Sequence, residues 1–295
     1  MAKSLFHGRS DSLPSRSHPL MSKLDDYICR LRASEATSTS STSIAHKLNG
    51  LPDLHDCIDK LLLLPLIQQA LAREKNGKCV DELLDGSLQL LDLCNSAKDT
   101  LLQIKEYTLE LQSTIRRRQG GENGLATEVR KYLTSGKLAK KAIQKALTNL
   151  KGLENKYSFS CTDSSNEIAT LVTLLREVQT ITLCVLKSFL SFISGQKAES
   201  KPSHWSLISK LMLHKRVASD EEETQENEFV MVDDSLKSLV GCKTACKYDN
   251  FMLMQNVQGH LKNMEMCIQD LENGSHSLFR RMIKTRDSLL NILNL

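Results

Sequence analysis

The stretch at residues 80–115, VDELLDGSLQLLDLCNSAKDTLLQIKEYTLELQSTI, decides the fold of this chain. Val80, Leu83, Ser87, Leu90, Cys94, Ala97, Leu101, Ile104, Thr108, Leu111 and Ile115 follow one another at alternating steps of three and four. All but Ser87 and Thr108 are apolar or small, and only a long α-helix sets such residues on one stripe. Asp85, Asp92, Asp99 and Glu106 recur every seven residues along the opposite edge and mark the solvated face. Leu84, Leu88, Leu91, Leu93, Leu102 and Leu109 widen the apolar side, which predicts a helix inside a bundle rather than a dimeric coiled coil. Arg116, Arg117 and Arg118 set positive charge at the negative end of the dipole, and Gly120-Gly121 stop the helix near residue 118.

The same rhythm continues on both sides. A first amphipathic helix is expected at 22–33, then a low-complexity connector at 34–43, SEATSTSSTS. Residues 51–64 bring Leu54, Cys57, Ile58, Leu61 and Leu62 onto one face before Pro65 ends or kinks that helix, and 66–71 form a short one. Downstream, residues 127–152 carry Val129, Tyr132, Gly136, Ala139, Ile143, Ala146 and Leu150 on one side. Arg130, Lys137, Lys140, Lys141 and Lys145 fall largely on the other, so this is a basic amphipathic helix with Thr127 as N-cap. After a polar linker at 154–165, residues 167–194 form the most apolar helix, and a short helix is expected at 205–213. An acidic loop near 217–230 follows, with Ser219 resembling an acidophilic kinase target. Two final helices, at 245–271 and 277–293, are expected to be separated at Asn273-Gly274 and to return as a hairpin.

The chain of 295 residues has room for one large helical domain, and its 4% aromatic content favours aliphatic helix packing over sheets. With 39 basic against 35 acidic residues the net charge is only +4, which gives no field strong enough to favour nucleic acid. The nine cysteines are scattered singly and read as reduced thiols of a cytoplasmic or nuclear protein. Residues 171–193 come nearest to a membrane span, but they include Arg176, Glu177, Gln179 and Lys187.

Residues 1–21 lack helical periodicity and read as a disordered Ser/Arg/Pro-rich tail before a single domain at 22–295; a transit peptide is the alternative. Within the tail, Arg9-Ser10-Asp11-Ser12-Leu13-Pro14 fits the pattern Arg-Ser-x-Ser-x-Pro, which resembles a 14-3-3 ligand. Phosphorylation of Ser12 would supply the charge such a partner grips, with Arg9 before it and Pro14 turning the chain away.

The segments RSDSLPSRSHPL, LRASEATSTSS, LPDLHDCIDKLLLLPLIQQAL, ELLDGSLQLLDLCNSAKD and LQSTIRRRQGG, with the ending LFRRMIKTRDSLLNILNL, resemble the BYPASS-like proteins, a plant-specific family of unknown function. The resemblance runs nearly end to end. It departs at Gly274-Ser275-His276, where acidic residues are commoner, and at Asp287, where an apolar residue is usual. It implies a plant protein linked to root and shoot development and supplies no catalytic residues.

Cys242 and Cys246 share a helix face, but the second tight pair of a zinc site is missing. No Gly-rich phosphate loop and no nucleophile–base spacing is present. The expectation is therefore an all-α elongated bundle of long antiparallel helices without cofactor, metal or small-molecule substrate. It would act as a non-enzymatic scaffold through other proteins. Docking on an anionic membrane through the helix at 127–152, as a peripheral protein, is the alternative.

Overall fold

The computed structural model describes residues 19–35, 40–73, 77–117, 124–157, 166–196, 227–241 and 247–294. The described residues form eight helices and no strand: α1 (Pro19–Glu35), α2 (Ser41–Leu62), α3 (Pro65–Arg73), α4 (Lys78–Arg117), α5 (Leu125–Tyr157), α6 (Asn166–Ile193), α7 (Glu228–Gly241) and α8 (Lys247–Leu293). Arg9, Ser12, Pro14, the expected helix at 205–213 and Ser219 lie outside the described residues.

Helix α4 buries its seam: Val80, Leu83, Leu90, Cys94, Ala97, Leu101, Ile104, Thr108, Leu111 and Ile115 are all buried, and the four acids of the opposite edge are exposed. Thr108 enters the core because its hydroxyl returns to the Ile104 carbonyl at 2.7 Å. The apolar face is narrower than its leucines suggest. Leu91 and Leu93 are buried, but Leu88, Leu102 and Leu109 remain 44 to 48% exposed.

The last helix departs most from the sequence reading. α8 runs unbroken for 47 residues, about 70 Å, straight through Asn273-Gly274. A Cβ at Gly274 would lie 3.0 Å from Leu48 Cβ and 3.1 Å from Asn49 Oδ1. The glycine is there because α2 passes over it, not because the helix ends. On the other side of the same level, the Cys94 thiol meets the Ser275 carbonyl at 3.7 Å, with Ser275 fully buried. Three helices converge at this point.

Helix α4 is antiparallel to α8 in a shared seven-residue register. Lys98 lies 4.2 Å above the Phe279 ring, Lys105 meets Glu272 at 2.5 Å, and Gln112 Nε2 donates to Glu265 at 3.1 Å. Each rung is seven residues from the next on both helices, as in a coiled coil. By contrast α2 lies parallel to α8: Leu48 faces Gly274, Asp56 pairs with Arg281, and Asp59 takes Ser288 at 2.5 Å and Lys284 at 2.6 Å. Neighbours in this bundle are therefore not all antiparallel.

Helix α2 also starts earlier than expected. Ser40 caps it, accepting from the Ser43 N–H at 3.2 Å, and the helix continues through Pro52. Ile44, Leu48 and Leu51 are wholly buried, and this burial outweighs the missing proline hydrogen bond and the Ser/Thr-rich composition. Likewise α1 begins at Pro19, a suitable first helical residue, inside the expected tail, and α5 continues to Tyr157 into the expected linker.

Helix α6 lies between α1, α2, α4 and α5, with Leu171, Leu175, Val178, Ile181, Val185, Phe189 and Phe192 at most 5% exposed. Gly195, at φ +66°, closes it: its N–H reaches Phe192 O and that of Gln196 reaches Ser191 O. The loop expected to run to residue 230 ends sooner, at Asn227. That side chain accepts from the Phe229 N–H at 2.9 Å and donates to Phe192 O at 2.7 Å, starting α7 with Phe229 edge-on to Phe192.

The two glycines of α8 should respond oppositely to substitution. Gly274→Leu should lower stability by about 1–3 kcal/mol by overpacking the α2 crossing. Gly259→Ala, where a new Cβ meets nothing within 4 Å, should raise it by about 0.5–1 kcal/mol. Thermal unfolding of the two variants measures both, and equal shifts would remove the close-approach explanation of Gly274.

Candidate interaction surface

Helix α5 is amphipathic because Val129, Tyr132, Ala139 and Ile143 face the core while its cations fall on the far side. Two cations are bound to neighbouring helices. Lys131 meets Glu110 of α4 at 2.6 Å, a hydrogen bond that pushes the ammonium pKa up. Lys140 meets Asp233 of α7 at 2.7 Å, with the carboxylate side chain only 16% exposed. Of the sequence-singled residues, Lys140 is thus a tie between helices. Arg130, Lys137, Lys141 and Lys145 are exposed and have no ion pair among the described residues. At about 1.5 Å per residue these four span roughly 22 Å of one helix face. In their midst Leu138 is 65% exposed. This row is the site that the sequence periodicity anticipates.

A second polar assembly, which no local sequence pattern singles out, is buried where α2, α4, α6 and α8 meet. Thr182 spends its hydroxyl proton on Val178 O at 2.8 Å, so it accepts from His55 Nε2 at 3.1 Å. The other ring nitrogen, Nδ1, is then an acceptor, 3.5 Å from Thr285 Oγ1. Burial pulls the His55 pKa down to about 4, so the ring is neutral. Beside it Gln179 Nε2 donates to Leu83 O at 2.8 Å, and Arg286 reaches Leu84 O and the Ser87 hydroxyl. These contacts tie α2, α4, α6 and α8 to one another. The void among them, about 30 Å³, has the dimensions of one water rather than of a substrate.

The buried thiols and phenol are held in their unreactive forms. Burial pushes the Cys94 thiol up to about 12 and raises Cys57, Cys267 and the Tyr132 hydroxyl as well. Cys29, Cys57, Cys94 and Cys267 are free, whereas Cys79 is disulfide-bonded, which corrects the reading of every cysteine as reduced. Cys242 and Cys246 lie outside the described residues, among which no group of three or more His, Cys, Asp and Glu is placed to hold a metal ion. Among the described residues one helix is long and apolar enough to cross a membrane, Ala169–Ile193, and 67% of its apolar window is buried inside the bundle. That burial is what a core helix requires.

Residues 47–292 match the family model described as Protein BPS1. No similar curated protein and no similar solved structure is found.

The neutral His55 sets a pH dependence. In the unfolded chain the ring titrates near 6.5 and in the bundle near 4. The unfolded state therefore binds the proton first, and stability is lost as pH falls from 6.5 towards 4. At about 1.36 kcal/mol per pH unit the total is about 3 kcal/mol. Urea midpoints measured between pH 7 and 4 should fall more steeply for the wild-type chain than for His55→Gln; parallel curves would show that His55 does not carry the effect.

Proposed function

Because the chain belongs to the BPS1 family, we propose that it is a non-enzymatic scaffold of plant root and shoot development that docks acidic segments of other proteins on α5. The family is one of plant regulatory proteins. One observation carries the docking surface: Lys131 and Lys140 are neutralised by neighbouring helices, while Arg130, Lys137, Lys141 and Lys145 present an unpaired row on a rigid rod. Such a row attracts carboxylate-rich or phosphorylated segments and speeds their encounter. The scaffold reading also draws support from the 30 Å³ interior void and from thiols whose pKa burial raises.

Leu138 favours a second reading, docking on an anionic membrane. Its exposed side chain amid the cations suits the headgroup boundary, and each basic residue near such a surface adds about 1 kcal/mol. In this proposal the protein works in the cytoplasm or nucleus, or at a membrane surface. A phosphorylated Ser12, flanked by Arg9 and Pro14, would add a 14-3-3 protein as a further partner.

The test is the fourfold variant Arg130→Glu, Lys137→Glu, Lys141→Glu, Lys145→Glu, which spares the tie at Lys140. Its unfolding midpoint should stay near that of the wild type, since exposed substitutions of this kind shift stability by about 0.5 kcal/mol or less each. Proximity labelling in root tissue should then lose the neighbours seen with the wild-type chain. An unchanged set of neighbours would refute the α5 surface. Salt-sensitive sedimentation with phosphatidylserine vesicles, abolished in the same variant, would select the membrane reading instead.

A further inference from the structure

A second cationic surface lies on α8 and shares no residue with the row on α5. Lys105 of α4 and His276, Arg280, Arg281 and Lys284 of α8 surround an open groove of about 700 Å³, completed by Gln269, Glu272, Asn273 and Ser277. Glu272 is the one carboxylate in this lining, and Lys105 already holds it at 2.5 Å. Two further cations are fixed from behind by α2. Asp56 holds Arg281, and Asp59, whose side chain is 4% exposed, holds Lys284 at 2.6 Å while accepting from Ser288. These carboxylates anchor the side chains without using up their donors: a guanidinium has five N–H groups and an ammonium three. Arg280 and His276 have no hydrogen bond or ion pair among the described residues.

No apolar side chain lines the groove, so an occupant would be held by charge and hydrogen bonds alone. Its volume falls within the range of small-ligand sites, about 300–1,000 Å³. A single phosphate engages one or two of these side chains and leaves the free donors of the others unused. Several phosphates on a small ring answer all of them. We propose that this groove binds a compact, multiply phosphorylated polyol, a chemistry shared by free inositol polyphosphates and by phosphoinositide headgroups. Lys105, Arg281 and Lys284 are fixed in advance by their carboxylates, so that little of their side-chain freedom is lost on binding.

Calorimetric titration of the full chain with inositol hexakisphosphate tests this, with inorganic phosphate as the comparison. The variant His276→Gln, Arg280→Gln removes one groove cation and one imidazole that hold nothing else in the fold. Hexakisphosphate should bind the wild-type chain and raise its unfolding temperature, bind the double variant roughly tenfold more weakly or worse, and bind the fourfold α5 variant as it does the wild type. Inorganic phosphate should bind far more weakly than hexakisphosphate. Phosphatidylcholine vesicles with and without phosphatidylinositol bisphosphate then distinguish the source. Retention on the phosphoinositide vesicles, displaced by hexakisphosphate, assigns a headgroup; hexakisphosphate binding without retention assigns the free molecule. Absence of binding in both arms overturns the proposal. So does binding that the double variant keeps and the α5 variant loses, or equal affinity for inorganic phosphate.

Discussion

The bundle depends on one close approach. At Gly274 and Ser275 the backbone of α8 is bare enough for α2 to press against it from one side and α4 from the other, with Leu48 and Cys94 at the contact. A 47-residue helix has little cohesion of its own beyond its local hydrogen bonds, and most of its stability comes from the faces it buries. Packing both neighbours at the same level fixes the rotation of α8 about its axis. That rotation decides which residues enter the core and which point outward. Leu271 and Leu278 are thereby fully buried, while His276 and Arg280 are left in solvent.

Register along the helices is set by polar contacts. The pairs Asp56–Arg281, Asp59–Lys284, Glu82–Arg176, Lys105–Glu272, Glu110–Lys131, Lys140–Asp233 and Arg32–Glu177 all join different helices. Singly, partly exposed ion pairs contribute only about 0–1 kcal/mol, so they add little to the energy of a core of this extent. Their effect is selective. A one-turn slip of α8 along α4 would separate Lys105 from Glu272 and Gln112 from Glu265 together, and would drive Gly274 out from under Leu48. Aliphatic side chains of similar volume tolerate such a slip better than oriented charges do.

Periodicity made the long helices legible, because a strict three-and-four spacing has few alternative readings. The stripes of α4, α5 and α6 are buried much as that spacing requires, and the basic face of α5 follows from the same count. Local composition misled where tertiary burial prevailed. Asn273-Gly274 carries the chemistry of a helix stop, yet its glycine marks a crossing, and sequence alone does not distinguish a missing side chain needed for a turn from one needed for contact. Pro52 and the Ser/Thr-rich run before it hid the first half of α2 in the same way. The helix Glu228–Gly241 is short and follows an acidic run, and its cap depends on Asn227 meeting the distant Phe192 carbonyl, so no local pattern marks it. The His55 cluster and the α8 groove draw on residues far apart in the chain, so no local pattern announces them.

The net charge of +4 conceals how the charges are allocated. Acids that join helices are committed: Asp59 and Asp233 are nearly covered, and each holds a lysine in place. What remains outside is positive in two places, and the two are built differently. On α5 the unpaired cations are on long, untethered side chains, a surface suited to partners whose acidic groups are themselves loosely ordered. In the α8 groove two of the cations are braced by α2, and a third, Lys105 of α4, by Glu272, so their positions are fixed before any ligand arrives. Preorganised charge favours a compact ligand with its own charges in fixed places, because neither side loses much freedom on binding. The same α2 contact that orients α8 in the core therefore also prepares its outer face.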